Sequence, residues 1–320
     1  MRVVRERPEG LTDDDVVRGL ADGWRLAVSE LEFLPVGAGG YHWSATAGAE
    51  RWFVTIDVRA DLPTLRRALG TAAALRRAGL DFVLAPIPDR DGDAARPLSH
   101  QHALSVYPLV PGTAGDFGPH PAADRSAVLD LLIALHQTEP PPIAQPTDLR
   151  LPGRADLEAA LNDLEGPWTS GPYAEPARQV LSRHAARITA WLQDFDNMAA
   201  DVAPATDWVV THGEPHPGNV LKTPTGLRLI DWDTTRLAPP ERDLWMLTPA
   251  MIGAPPHPDD GLLAHYEHRT GRTVSRRTIA FYRLWWILAD LAVYTTELRR
   301  PHTPGPDLAN SLHYLTANLE

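Results

Sequence analysis

The chain has 320 residues, 43% of them apolar and 22% charged, an ordinary globular composition with enough mass for a sizeable core. It contains no cysteine, which excludes disulfides, thiol nucleophiles and zinc–thiolate centres, and fits a reducing, cytoplasmic setting. A net charge of −11 argues against nucleic acid as a partner, because a polyphosphate backbone selects basic surfaces.

Taken from the N-terminus, Met1 to Asp15 carries no apolar run of the kind that directs export. Leu31–Val36, Tyr41–Thr46 and Arg51–Val58 read as strands. The glycine-rich turn Gly37-Ala38-Gly39-Gly40 and the turn Ala47–Glu50 separate them, which makes an antiparallel meander. Leu62–Ala78 places Leu62, Leu65, Leu69 and Leu75 on one stripe, with Gly79 behind it, the marks of a helix and its C-terminal cap. Phe82–Pro88 and His102–Val110 add two expected strands. At Pro108–Gly112 the pattern changes. Residues 1–107 read as a small sheet-rich lobe, 108–112 as a hinge, and 113–320 as a mainly helical lobe. Helices are expected over 123–137, 155–164, 174–199 and 276–298, with a proline-rich connector at 139–148. The stretch Leu284–Val293 is strongly apolar but too short to cross a bilayer, and it carries Asp290, so it reads as buried helix and no membrane contact is expected.

The exception to the helical pattern is Trp208–Asp233. It contains Thr-His-Gly-Glu-Pro-His-Pro-Gly-Asn-Val-Leu (211–221), then a hairpin turning at 223–226, then Ile230-Asp231-Trp232-Asp233. Two chemistries fit these residue types. A metallohydrolase would use His212 and His216 with Asp231 or Asp233, but Pro215, Pro217 and Gly218 make this segment a loop, so helical ligand spacing loses its meaning. Phosphoryl transfer needs a carboxylate to orient the acceptor hydroxyl, and an amide oxygen and a second carboxylate to hold Mg²⁺. Glu214, Asn219 and Asp231 supply that set in that order.

The pattern His212-Gly213-Glu214-x-His216-x-x-Asn219, followed by Ile230-Asp231-Trp232 and Asp243-Leu244, resembles the aminoglycoside phosphotransferase family of small-molecule kinases over most of the chain. The resemblance implies an α+β, two-lobed protein-kinase-like fold with a small antiparallel-sheet N-terminal lobe and a mainly helical C-terminal lobe. It implies that Glu214 is the catalytic base and that Asn219 and Asp231 hold Mg²⁺. Gly37, Ala38, Gly39 and Gly40 would cover the phosphates of ATP or GTP, and the backbone at Pro108 and Val110 would meet the purine edge. His212, His216 and Asp243 would be structural supports. Trp286, Asp290, Val293 and Glu297 share a face of the last long helix, where carboxylates would meet the amino groups of a small cationic acceptor of the antibiotic type. No protein partner is indicated.

There are departures from the family pattern. The base position holds glutamate where aspartate is usual. In Arg51–Arg59 the place of the phosphate-binding lysine falls on Thr55, and the following helix offers no glutamate to pair with a lysine. Arg59, Arg66 and Arg67 stand open as replacements. A silent nucleotide-binding pseudokinase, and a metabolic kinase of a sugar, an amino alcohol or a homoserine-like acceptor, remain alternatives.

Overall fold

The computed structural model describes residues 7–8, 10–37, 39–58, 61–203, 207–248 and 261–320. Ala38 and Arg59 lie outside them.

Helix α1, Asp13–Trp24, is begun by a reciprocal cap: Asp15 N donates to Thr12 Oγ1 at 3.2 Å while Thr12 N donates to Asp15 Oδ2 at 2.8 Å. Strands β1 (Glu30–Leu34), β2 (Gly40–Ala47) and β3 (Glu50–Val58) form the expected meander. Helix α2, Leu62–Arg77, starts at Asp61, whose side chain accepts from Thr64 N, and Gly79 follows its end at φ +98°. The short strand β4 (Arg96–Pro97) and β5 (His102–Pro108) complete a sheet of order β1-β2-β3-β5-β4. One face of this sheet, with Trp43, Ala45, Val54, Ile56, Leu104 and Val106, packs on Val16 and Leu20 of α1. Alternation along the strands puts His42, Ser44, Phe53, Thr55, Asp57, Ser105 and Tyr107 on the opposite face.

Phe82–Pro88 is not a strand. Pro86 and Pro88 remove backbone donors, and the segment instead crosses between two partners, with Leu84 N donating to Leu229 O at 3.0 Å and Ile87 N to Val106 O at 2.7 Å.

Beyond β5 come β6 (Thr113–Ala114) and α3 (Ala122–Gln137), then α4 (Arg154–Asn162) and α5 (Ala174–Val202). Strand β7 (Val209–Thr211) is followed by a 3₁₀ turn at Pro217–Asn219, the hairpin β8 (Val220–Thr223) and β9 (Gly226–Leu229), and β10 (Arg236–Ala238). Strand β6 pairs with β8, and β10 pairs with β7. Helices α6 (Glu241–Leu244), α7 (Leu262–Thr270), α8 (Arg276–Arg299) and α9 (Pro306–Ala317) complete the order.

The chain divides into two compact units. One joins Glu6–Thr147 to Asp207–Val274 and holds every strand together with α1, α2, α3, α6 and α7. Within it the connector 139–148 lies along β10, with Thr147 N donating to Leu237 O and Leu237 N to Gln145 O, both at 2.8 Å. The other unit joins Asp148–Thr206 to Ser275–Glu320 and consists of α4, α5, α8 and α9. Leu181, Ile188, Leu192, Phe281, Leu288 and Leu298 are fully or nearly fully buried there, and Phe195 stacks on Phe281 at 5.2 Å. No helix of the described residues is long and apolar enough to cross a membrane.

Candidate active site

The site grows from the end of β7. The chain leaves Thr211 through Gly213, whose φ of +101° suits only glycine, and a Cβ there would lie 2.5 Å from the Arg242 Cζ. Arg242 is held in that place by donating to Thr211 Oγ1 at 2.8 Å and to the Thr234 carbonyl at 2.9 Å. The glycine of the motif is thus required both by its own dihedral and by the guanidinium resting on it.

Beneath the loop lies Asp243, fully buried. Its Oδ2 accepts from His212 N at 2.9 Å and its Oδ1 from Gly213 N at 2.6 Å. His136 Nε2 donates to the same carboxylate at 3.0 Å, and His136 Nδ1 accepts from the Tyr266 hydroxyl at 3.0 Å. Burial works to raise the Asp243 pKa, but the His136 hydrogen bond, with the charge of Arg242, outweighs it and holds the carboxyl below its usual range. His212 Nε2 donates to the Ile230 carbonyl at 2.8 Å, while its Nδ1 accepts from Glu214 N at 3.2 Å. That ring ties the start of the loop to the end of β9 and packs on Trp232 at 4.6 Å. Burial lowers its pKa to about 4.

His216 is also fully buried, its pKa lowered to about 3 chiefly by that burial. It accepts from Asn219 Nδ2 at 3.3 Å and meets Phe117 edge-on at 5.0 Å, and its Nδ1 has no partner among the described residues. His120 Nε2 donates to the Pro215 carbonyl at 2.7 Å, pinning the residue next to Glu214. Both imidazoles of the motif therefore brace the loop, His212 through both ring nitrogens and His216 through Nε2. Among the described residues no group of three His, Asp or Glu side chains could hold a metal ion unaided.

Asn219 Nδ2 also donates to the Glu214 carbonyl at 2.9 Å, and Ile230 N donates to the Asn219 carbonyl at 3.1 Å. The amide nitrogen of Asn219 is committed, which leaves its side-chain oxygen as the atom available for coordination. Asp231 sits in the left-handed region at φ +66°, a conformation that costs a non-glycine residue on the order of 1 kcal/mol and persists only where the surroundings impose it. Asp231 is an exposed residue, yet protein atoms crowd its carboxylate. That desolvation comes first, and the charges of Asp233, Glu214 and Asp57 add to it, raising the Asp231 pKa well above the carboxylate range. Tyr107, on the sheet face that bears Asp57, feels the same cluster: burial and then Asp57, Asp231 and Asp233 raise its phenol. Asp57 and Tyr107 are members of the site that sequence reading did not nominate.

The glycine-rich turn lies against this same face. A Cβ on Gly40 would stand 3.5 Å from both Asp57 Oδ1 and Thr55 Cγ2, and one on Gly37, at φ +78°, would stand 2.8 Å from His42 Nε2. His42 Nδ1 is 3.2 Å from Thr55 Oγ1, and burial lowers the pKa of His42 to about 4. Pro108 ends β5, and Val110 follows in the linker that leads to β6. Arg66 is committed to the Ala95 carbonyl and to Asp93, both at 2.8 Å. Arg67 lines a separate cleft of about 380 Å³ with Gly70, Ala73, Arg77 and Pro141–Ile143.

Trp286, Asp290 and Glu297 belong to the helical unit. Asn318 Nδ2 donates to Asp290 at 3.2 Å, and Ser311 Oγ donates to Glu297 at 2.7 Å, so both carboxylates bond to residues of the C-terminal segment. Burial raises the Asp290 pKa to about 6. Trp286 is half-buried, and Val293 is 48% exposed on the same helix.

A family model described as the phosphotransferase enzyme family (APH) matches residues 30–285, the span that contains every element of the loop and its supports. The chain belongs to that family. This phosphotransferase-family chain is 33% identical to Protein StrN of Streptomyces griseus over 297 residues, covering 87% of this chain and 82% of the relative. Among solved structures, a spectinomycin phosphotransferase in complex with ADP and spectinomycin superposes with a TM-score of 0.74 at 19% identity, covering 96% of this chain and 94% of the other. A microcompartment-associated aminopropanol kinase superposes with a TM-score of 0.59 at 16% identity, covering 96% and 95%. The fold of this phosphotransferase-family chain is accordingly the α+β protein-kinase-like one, an antiparallel sheet in its N-terminal part and mostly helices after it.

Proposed function

We propose that the chain transfers the γ-phosphoryl group of a Mg²⁺-bound nucleoside triphosphate to a hydroxyl of a small, amine-bearing acceptor. The convergence of Glu214, Asn219 and Asp231 on one braced loop and hairpin supports this reading. The donor set fits magnesium: a carboxylate on Asp231 and the uncommitted amide oxygen of Asn219 are hard oxygen ligands, and mutual repulsion among Asp231, Asp233, Glu214 and Asp57 favours a divalent cation. When bound, the ion would offset charge on the transferred group.

The protein's own part is positioning. Glu214, fixed through its backbone by His212, Asn219 and the His120–Pro215 contact, orients the acceptor hydroxyl and takes its proton as the new O–P bond forms and the bond from the γ-phosphorus to the departing nucleoside diphosphate breaks. In a loose phosphoryl-transfer transition state orientation counts for more than base strength, so a glutamate is competent if its loop is rigid. The class of acceptor rests on the relatives, whose names include spectinomycin and aminopropanol, and on the net charge of −11, which draws cations.

The test is an intact-mass assay with Mg²⁺, ATP or GTP, and a panel of aminocyclitol antibiotics, amino sugars and amino alcohols, run beside Asp231→Asn. Gain of one phosphoryl group on an acceptor, absent with Asp231→Asn, is the expected result. Nucleotide binding without transfer to any acceptor would favour a silent nucleotide-binding protein, for which Thr55 at the lysine position is the specific sign. Full turnover by Asp231→Asn would remove the assignment.

A further inference from the structure

Building on the nucleotide-binding reading, we propose that His42 and Thr55 form the phosphate-holding station of the N-terminal sheet, with His42 Nε2–H as the donor to the nucleotide's phosphates. Four observations place it. His42 and Thr55 are direct cross-strand partners of β2 and β3 on the sheet face that also carries Asp57, whose charge reaches Asp231. That face is therefore turned toward the carboxylates of the hairpin. The Thr55 hydroxyl lies 3.2 Å from His42 Nδ1; donating there, it leaves the ring proton on Nε2. The opposite edge of the ring, Nε2, lies beside Gly37, at the mouth of the turn expected over the phosphates. Phe53 stacks on the ring at 5.0 Å and 28°, so the imidazole is held in one plane.

Of the three arginines that could replace the lysine, Arg59 lies outside the described residues and the other two are engaged elsewhere. Arg66 is spent on Ala95 and Asp93, and Arg67 faces the separate cleft beside Pro141–Ile143. No described partner takes the hydrogen of His42 Nε2. A neutral imidazole N–H at the strand position next to Thr55 does by a directed hydrogen bond what a lysine does by point charge. Gly37 is then required to be glycine for a second reason besides its φ, since any side chain would push the ring out of line.

The experiment is a comparison of nucleotide affinities, measured by calorimetry with Mg²⁺ on the full chain. Parent, His42→Ala and the double variant His42→Ala/Thr55→Lys are titrated with ATP, GTP and adenosine, and melting curves are recorded for each. Loss of one hydrogen bond to a charged group predicts that His42→Ala weakens triphosphate binding about 10- to 100-fold while adenosine binding stays within about twofold. A lysine restored at Thr55 should recover most of that loss. Equal weakening of ATP and adenosine, or unchanged ATP binding by a folded His42→Ala, would overturn the assignment of His42. Failure of the parent itself to bind any triphosphate would instead strike the nucleotide reading, so the two failures are distinguishable. His42→Phe, which keeps a ring stacked on Phe53 but has no N–H donor, serves if the alanine variant does not fold, and it must show the same loss confined to phosphate-bearing ligands.

Discussion

Replacing Asp243 tests the bracing of the loop most directly. In Asp243→Ala, the backbone N–H groups of His212 and Gly213 and the Nε2–H of His136 lose their common acceptor in a fully buried place. An orphaned buried donor costs about 1–3 kcal/mol, so three of them cost roughly 3–9 kcal/mol before any relaxation. Partial relaxation and the entry of a water bring the working expectation to about 4–5 kcal/mol. That is a large part of the 5–15 kcal/mol that typically separates folded from unfolded chains. Asp243→Asn keeps one carbonyl oxygen but turns an NH₂ group toward existing donors, and about 2–4 kcal/mol is expected. Urea denaturation would measure both, provided the slope stays constant between variants. For the milder variant, turnover should fall by at least tenfold with nucleotide affinity nearly kept, because the backbone that carries Glu214 shifts while the N-terminal sheet does not. An Asp243→Ala protein within about 1 kcal/mol of the parent would refute the reasoning, since the donors would then have found other partners at no cost.

Two further outcomes follow from the same site. Gly213→Ala places a Cβ against the Arg242 guanidinium at a positive φ, and should destabilise by about 2 kcal/mol or more while lowering turnover; thermal melts and initial rates check it. His212 and His216 are buried with pKa values of about 4 and about 3, below the unfolded value near 6.5. The unfolded chain therefore takes up protons that the folded one refuses, so this stability is full above about pH 7 and is lost as pH falls through 6.5 toward 4. Each histidine should contribute about 1.4 kcal/mol of loss per pH unit in that window, visible as a falling melting temperature. A melting temperature unchanged from pH 7 to pH 5 would contradict the burial of both rings.

What could be read in the sequence was what lies close together in it. Glu214, Asn219, Asp231 and their two histidines fall between Thr211 and Asp233, and the prolines among them exclude a helix. The meander and the long helices were legible because alternation and helical stripes are local. The cap Thr12–Asp15 that starts α1 is an equally local signal. His136, Tyr266 and His120 were not legible, because no local signal joins a histidine in α3 to a carboxylate 107 positions away. Asp57 lay in a segment read for its missing lysine, and only the pairing of β2, β3 and β5 shows which face it takes. The apolar run Phe82–Pro88 predicts a strand, but Pro86 and Pro88 carry no backbone donor for a ladder, and that outweighs it.

The β8–β9 hairpin carries Asn219 at one foot and Asp231 just past the other, with Val220 opposite Leu229 and a reversal at Pro224–Thr225. The gap between Asn219 and Asp231 is therefore set by strand pairing at the base and does not depend on how far the hairpin extends. Paired insertions of residues beyond Thr223 and before Gly226 would lengthen the arm and leave the donors where they are. A search for relatives that fixes the interval from Asn219 to Asp231 would discard chains with the same chemistry and a taller hairpin. By the same logic, the tip of this arm is a natural place to graft a peptide tag or a fluorophore without touching the reaction.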